Sequence, residues 1–578
     1  MKKSKSPGMK IYSLTLLIGI LFTHLAVFSQ HERKQFEKGI NKAISRSYDA
    51  CVKISEFDTL RQANIGSQFS GVSVTAEGHI LTVAHAAFPG RIYKLYFPDG
   101  KTVLATGLGR IGSFDAAVLK IKDKGRWPYA PLGWSGKLNS GDPCIGISYP
   151  VMLDQPLPTV RFGYISKPVS DKGFIESSCK MEQGDSGGPL FDFLGRVIGL
   201  RSYIYAPEKN NFDVPVDTYR KYWTKLNLPV DYTDLKRLTE DVIAVDTGAG
   251  LVHVKSISGE VITKNLKAVT TGIWINSLIK GKMQRVLSTP FLLDVGKLGK
   301  ANRYTYLLSK NSMVGDHVKL ELSSGQNDLV KILNRDEEND LVLMQVERRL
   351  KNGIQLNEKP DTVGTGSEDL GKFLISVLPG HEYRMSVLGS RYFSLSRFFS
   401  VGFFGAGAIF SDGKIMLRNV AKGSPAEKAG LKQYDQLTGV NRVGIYVPQD
   451  YGAELSKHFP EERISIQGVR DSVRFDLPVF LGFLPNWNSH PDSQFDGGRS
   501  RRLDGFKQVL VHDAIIKPEE CGGPVYDADG NFYGINIARF SRTGTLIMPS
   551  ALIYNLINSM KDYSTKHNRV LKTRELGK

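Results

Sequence analysis

The sequence predicts a mainly β protein in which one β-barrel architecture occurs twice and a smaller domain is set into the second copy. Three observations point there. Short alternating apolar runs ("FSGVSVT", "HILTVAHA", "IYKLYF", "AAVLKI", "CIGISY") follow one another between Gly, Asp and Pro turns, the rhythm of a sandwich or barrel. The phrase "GDSGGPLFDFLGRVIGLRSY" returns as "EECGGPVYDADGNFYGINIA", and internal repetition resets the domain count. From the aspartate of each copy to its Gly-Gly-Pro phrase the second copy spends 181 residues against 71, a surplus of 110 that can hold a domain.

At 578 residues the chain exceeds what one core supports, and 41% hydrophobic with 23% charged residues is ordinary globular composition. Residues 1–29 read as a signal peptide: basic "MKKSKSPGMK", apolar "IYSLTLLIGILFTHLAVF", then small Ser29 as a cleavage boundary. An uncleaved anchor is the alternative, since the apolar run approaches spanning length. Either way the remainder is expected outside the cytoplasm, periplasmic or secreted. Cys51, Cys144, Cys179 and Cys521 are too few for a disulfide scaffold, and no pair has metal-ligand spacing. A net charge of +18 favours acidic surfaces, but the basic residues are scattered and not interleaved with aromatics, which argues against nucleic acid.

Chemistry enters along the first copy, after a segment expected to be a short helix running into a strand (31–54). His85 ends an apolar strand in "ILTVAHAA", Asp115 precedes another in "SFDAAVLKI", and Ser186 lies in the glycine-rich turn of "MEQGDSGGPLFD". A serine hydroxyl needs a neighbouring base to take its proton, and an imidazole held by a carboxylate is the matching base. Glycines beside Ser186 let the N–H groups of Gly184 and Ser186 point at a developing oxyanion. These segments resemble trypsin-like (chymotrypsin-type) serine proteases and come nearest the HtrA/Deg branch, over residues 35–225. The resemblance implies a double β-barrel with His85 as base, Asp115 as its orienter, Ser186 as nucleophile and no cofactor or metal. Asp185 stands where that branch often has Asn, and no activation sequence accompanies it. By the family's layout Cys179, Lys180, Ser202, Tyr203 and Ile204 line the specificity pocket. Tyr203 and Ile204 favour a small or medium apolar side chain, whereas an inward Lys180 favours an acidic one.

In the second copy "ENDLVLMQV" mirrors "SFDAAVLKI", which sets Asp340 opposite Asp115. Aligning "RVLSTPFLL" on "HILTVAHAA" places Phe291 at the histidine position and Cys521 at that of the serine. A thiol without a base is only a few per cent ionised at neutral pH, so Phe291, Asp340 and Cys521 read as a degenerate, non-catalytic site. His512 is the one histidine near Cys521 in sequence. The surplus contains "GKIMLRNVAKGSPAEKAGLKQYDQLTGVNRVGIY", which resembles a bacterial PDZ domain. That resemblance implies capture of a peptide C-terminus at the loop Phe403, Phe404, Gly405, Ala406. The phrase "HDAIIKPEECGGPVYDADGNFYGINIAR" also resembles a group of secreted bacterial HtrA-like proteins. The expected organisation is a leader over 1–29, an active barrel domain over 30–228, a degenerate domain over 229–398 and 483–563, a PDZ-like domain over 399–482 and a basic tail over 564–578. The expected activity is endoproteolysis of unfolded or specific polypeptides. A peptide-binding adaptor or holdase, or a regulatory protease for one partner, is the alternative. HtrA relatives often form trimers, which makes a homo-oligomer an expectation from resemblance alone.

Overall fold

The structure, a computed structural model, describes residues 30–558 except 206–207, 209, 234–238, 242–255, 293–303, 323–324, 326, 356–365 and 486–492. The expected leader and basic tail lie outside the described residues.

A helix over 30–47 leads into the first barrel. Its strands are β1 (Cys51–Asp58), β2 (Ala63–Ser73), β3 (His79–Thr82), β4 (Ile92–Tyr96), β5 (Thr102–Ile111) and β6 (Ala116–Ile121). They pair in the order β5-β4-β1-β2-β3-β6, and β5 pairs again with β6 to close the ring. The alternation that predicted strands is the packing pattern: in "IYKLY" of β4, Tyr93 and Leu95 are buried while their neighbours are half-buried. A second closed barrel follows from β7 (Pro143–Ser148), β8 (Thr159–Lys167), β9 (Ile175–Ser177), β10 (Pro189–Phe191), β11 (Val197–Ile204) and β12 (Asn211–Pro215), ordered β10-β11-β12-β9-β8-β7. A short β13 (Asp231–Tyr232) adds to β5 in parallel.

The second half repeats this connectivity. β14 (Ile273–Ile279), β15 (Lys282–Leu292), β16 (Thr305–Lys310), β17 (Asp316–Glu321), β18 (Asn327–Asp336) and β19 (Leu341–Val346) pair as β14-β17-β18-β19-β16-β15, with β14 closing on β15. The ring is that of β1–β6, strand for strand. β20 (Ile354–Gln355) then joins β15 in parallel. β21 (Phe373–Leu378), β22 (Glu382–Val387), β23 (Phe393–Leu395), β30 (Phe506–His512), β31 (Pro524–Asp527), β32 (Phe532–Arg539) and β33 (Thr545–Pro549) form the order β22-β21-β31-β32-β33-β30-β23. No continuous ladder joins β30 to β22 among the described residues; the isolated bridge Leu388–His512, the Gly389 N–H on Val511 O (2.8 Å) and the Ser386–His512 side-chain bond close this barrel by a thinner seam. Between β23 and β30 stand β24 (Gly407–Ser411), β25 (Lys414–Arg418), β26 (Gln436–Val440), β27 (Val443–Gly444), β28 (Arg463–Arg470) and β29 (Val473–Phe480). They form a sheet of their own around a separate core that includes Leu417, Ile466 and Val479.

The two repeats share one continuous core, and the N-terminal helix is wedged between them. Phe36 lies 5.9 Å edge-on to Phe162 of the first repeat and 6.0 Å, stacked, from Phe373 of the second. Glu37 accepts the Phe373 N–H at 3.1 Å, and the Arg33 guanidinium pairs with Asp529.

The recurring Gly-Gly-Pro has a steric cause. Gly187 has φ +79°, and a Cβ there would lie 2.1 Å from Thr82 Oγ1 and 2.3 Å from Ser70 O. Gly522 has φ +97°, and a Cβ there would lie 2.1 Å from Leu287 O and 2.7 Å from Ser309 Oγ. Both turns press their backbone against the neighbouring barrel, where only glycine fits.

Candidate active site

His85 stands three residues beyond the end of β3, in a tight turn where Ala86 and Ala87 donate to Val83 O. Asp115 follows the turn Gly112–Phe114 in a left-handed conformation (φ 54°), which aims its carboxylate back at β3. That carboxylate accepts the His85 backbone N–H at 2.9 Å and the Ser202 hydroxyl at 2.5 Å, and it faces His85 Nδ1 at 2.9 and 3.1 Å. With Nδ1–H committed to Asp115, Nε2 is the nitrogen left to accept a proton. Ser202, expected as a pocket residue, thus also anchors the carboxylate, and it lines the cavity besides.

The Ser186 turn is held from beneath. Asp185 is fully buried; it accepts the Ser148 hydroxyl at 2.8 Å and the Glu182 N–H at 2.7 Å, and it pairs with the buried Arg161 guanidinium of β8. Arg161 supplies the cation for Asp185 from within the folded barrel, which fits the lack of an activation sequence. Ser70 donates its N–H to Ser186 O at 2.8 Å and its hydroxyl to Gly184 O at 2.8 Å. Gly184 is left-handed (φ +97°), and among the described residues the N–H groups of Gly184 and Ser186 donate to no protein acceptor. Both residues line a cavity of about 520 Å³ with His85, Ser202, Tyr203 and Ile204. Among the described residues Ser186 Oγ and His85 Nε2 make no hydrogen bond. Such catalytic bonds often tighten only with substrate present.

Tyr203 is fixed by stacking on Phe212 (4.6 Å) and by an edge contact with Phe174 (5.0 Å). Lys180 departs from expectation. It is half-buried and does not line the cavity, and its ammonium donates to the backbone carbonyl of Asp513 in the second repeat. Desolvation of the ammonium pulls its pKa down. Cys179, its neighbour, is buried and does not line the cavity either. Met181 and Glu182 line the cavity instead. No sequence signal marked them, because the turn that aims them there is held by a partner in the other repeat.

The degenerate site needs a correction. Thr82 pairs with Ala117, two residues after Asp115, and Ser309 pairs with Val342, two residues after Asp340. Thr82 and Ser309 therefore correspond, and three residues on, the counterpart of His85 is Ser312. Phe291 lies on β15, the counterpart of β2, fully buried and edge-on to Phe532 at 5.8 Å. The "LST" of β15 imitates the "LT" of β3, and only strand pairing separates them. Asp340 keeps the left-handed turn (φ 56°) and accepts the Ser312 N–H at 2.7 Å, as Asp115 accepts that of His85. It also binds the Ser312 hydroxyl at 2.9 Å and the buried Lys310 ammonium at 2.5 Å. Cys521 is fully buried with Ser500 Oγ at 3.6 Å, and burial pushes its thiol pKa up. His512 is bonded to Ser386 Oγ (2.8 Å) and Asn536 Oδ1 (2.9 Å), and burial pulls its pKa down to about 3. It is committed away from Cys521.

In the inserted domain Phe403 exchanges backbone hydrogen bonds with Gly482 (2.7 and 2.8 Å), and Phe404 is buried edge-on to Tyr451. Gly405 is left-handed (φ +83°), and Ala406 O accepts the Tyr451 hydroxyl at 2.7 Å. These four residues lead into β24, an outer strand of its sheet, beside the helix Pro448–Leu455.

A double barrel with a histidine–aspartate pair facing a serine turn, followed by a small separate sheet domain, defines the class. Residues 69–200 match the trypsin-like peptidase domain, and residues 402–481 match the PDZ domain. The combination is that of HtrA/Deg-type serine proteases with a PDZ domain, to which the chain is related. A DegP-like periplasmic serine endoprotease of Bartonella henselae is 27% identical over 273 residues, 43% of this chain and 51% of that protein. The serine protease HhoA of Synechocystis is 35% identical over 169 residues, 27% of this chain and 42% of that protein. The chain thus spans about half the length of these curated relatives. Among solved structures, a serine endoprotease from Yersinia pestis is 16% identical, covering 77% of this chain and 97% of its own, with a TM-score of 0.29.

Proposed function

We propose that the chain is a periplasmic or secreted serine endopeptidase whose catalytic unit is the first repeat, residues 30–228. The second repeat (229–398 and 483–563) is non-catalytic, and the PDZ domain (399–482) captures peptide C-termini. The carrying observation is that one cavity holds the Asp115-oriented imidazole of His85, Ser186, and two uncommitted N–H donors at Gly184 and Ser186. A polypeptide substrate lies across this cavity. His85 Nε2 takes the Ser186 proton as Oγ attacks the carbonyl carbon, and the oxyanion settles on the two N–H groups. The imidazolium, stabilised by Asp115, then protonates the leaving amine. Water activated through His85 hydrolyses the acyl-enzyme and frees Ser186. Tyr203, Ile204 and Met181 give the specificity pocket an apolar character that suits small or medium apolar side chains. The relatives' names, which include periplasmic serine endoproteases, support the compartment.

The test is a fluorophosphonate probe combined with turnover of a denatured protein. Wild type labels and cleaves. Ser186→Ala loses labelling and at least about 10³-fold in rate, whereas Cys521→Ala stays within a few-fold. Substantial cleavage by Ser186→Ala would overturn the assignment.

A further inference from the structure

The three residues Lys180, Met181 and Glu182, which immediately precede the Gln183–Ser186 turn, are all tied to the second repeat. The Lys180 ammonium donates to Asp513 O, and Met181 O accepts from Arg542 Nη1 at 3.1 Å. Glu182 Oε1 accepts the Ser541 hydroxyl at 3.0 Å and the Thr543 hydroxyl at 2.7 Å. Glu182 is buried, yet it lines the same cavity as Ser186. It is also locked to the catalytic turn: its N–H donates to Asp185 Oδ2 at 2.7 Å, and its carbonyl accepts the Asp185 N–H at 3.0 Å. Asp185 stands between Gly184 and Ser186, which line the cavity and whose N–H groups have no protein acceptor among the described residues. A shift of Glu182 therefore becomes a shift of both donors.

The second repeat holds its side of the contact rigidly. Ser541 and Thr543 sit in the turn between β32 and β33, which is closed by Phe540 and Ser541 N–H groups on Gly544 O (3.0 and 3.1 Å). Arg539 Nη2 donates to Arg542 O at 2.9 Å, while Arg539 Nη1 and the Thr545 hydroxyl both bind Ala514 O. Next to Ala514, the Asp513 carboxylate bridges the repeats by accepting the Phe162 N–H of β8 at 3.0 Å and the Val387 N–H of β22 at 2.9 Å. With these partners removed, Glu182 would lose both of its hydroxyl donors and keep only the Arg161 guanidinium, whose Nη2 lies 3.6 Å from Oε1 and which is already paired with Asp185, so the turn would relax toward that shared cation.

We propose that the second repeat is a built-in positioning element for the Ser186 turn, acting through the Ser541 and Thr543 hydroxyls on Glu182. Ser541 and Thr543 are positioning residues, since neither lines the cavity. The proposal rests on the endopeptidase reading and adds a task for the copy that carries no working site of its own.

The test compares the full chain with S541A/T543V and S541A/T543S, measuring kcat and KM on a peptide substrate, the fluorophosphonate labelling rate, amide hydrogen exchange across 179–187 and the urea midpoint. The expected result for S541A/T543V is a loss of about tenfold or more in kcat and labelling, set against the 10²–10³ typical of losing one oxyanion donor. KM stays within about twofold, exchange across 179–187 accelerates, and S541A/T543S recovers most of the rate because it keeps the hydroxyl at 543. Unchanged exchange and labelling in S541A/T543V overturns the proposal, as does S541A/T543S performing no better than S541A/T543V. A folded wild type inert to the probe sinks the endopeptidase reading instead, and the exchange comparison then still decides whether the hydroxyls hold the turn.

Discussion

The turns around Ser186 and Cys521 occupy the same place in two barrels of the same connectivity, yet they keep opposite accounts of their hydrogen bonds. Gly188 donates to Asp185 O, and its counterpart Gly523 donates to Glu520 O; Gly187 donates to Arg201 O, and Gly522 to Asn536 O. Upstream of these shared bonds the two diverge. Among the described residues Ser186 N–H has no protein acceptor, whereas Cys521 N–H is spent on Pro518 O at 3.2 Å. Where the first repeat has left-handed Gly184, the second has Glu519 inside the 3-10 turn Pro518–Glu520. Asp115 orients an imidazole, but Asp340 neutralises buried Lys310. A barrel can therefore keep its strands, its aspartate turn and its glycine contacts while its imidazole is replaced by Ser312 and its aspartate and its turn N–H are redirected into structure. On the proposed reading, the silence of the second copy combines replaced side chains with a rewiring of donors and acceptors.

The sharpest way to break this contrast is to change the same residue type in both copies. Asp115→Asn is expected to cost about 10⁴ in kcat, because the amide holds the wrong imidazole tautomer, with little change in stability. Asp340→Asn is expected to leave turnover within a few-fold but to cost about 3–5 kcal/mol, since the Lys310 ammonium loses its counter-charge in a buried site. Steady-state kinetics and urea denaturation on both variants read the two effects. Equal losses of kcat would abolish the distinction.

A smaller effect concerns acid. His512 has a folded pKa near 3, far below the ordinary 6.5, because burial disfavours its charged form. The unfolded chain binds the extra proton between those values, so stability is fully present above about 6.5 and falls as pH drops toward 3. The cost by pH 5 is about 2 kcal/mol. His512→Gln should remove that slope, narrowing the gap to wild type by about this amount between pH 7 and pH 5 in urea midpoints. An unchanged acid slope would place the sensitivity elsewhere. The smallest effect is expected from S312H/C521S introduced into S186A, namely no recovered labelling. The new pair would still face a spent N–H at position 521 and an aspartate held by Lys310. Labelling at position 521 would show that residue identity alone had silenced the second copy.

Much of this was legible in the chain because its causes are local. A strand followed by "AHA", and an aspartate before "AAVLK", put His85 and Asp115 at strand ends regardless of what lies beyond. The repeat was visible in Gly-Gly-Pro because Gly187 and Gly522 answer the same close approach of backbone to backbone. The insertion was visible as surplus length between Asp340 and Cys521. Phe291 was misplaced because two adjacent strands carry similar Leu-Ser/Thr steps, and side-chain text does not say which one pairs with β19. Lys180, assigned to the pocket, turned out to serve Asp513, 333 residues away.

By itself the sequence determined the β-barrel pattern, its duplication, the inserted domain and the residue types available for nucleophilic chemistry, since these follow from periodicity, turn sterics and short-range order. The tertiary structure alone decided which polar groups are spent and which are free. The partner of a buried N–H, ammonium or carboxylate is chosen by strand register and by the docking of one repeat on the other. Such long-range pairing decides that Glu182 is held by Ser541 and Thr543, that Ser312 stands where a histidine would, and that Cys521 is sealed inside its barrel.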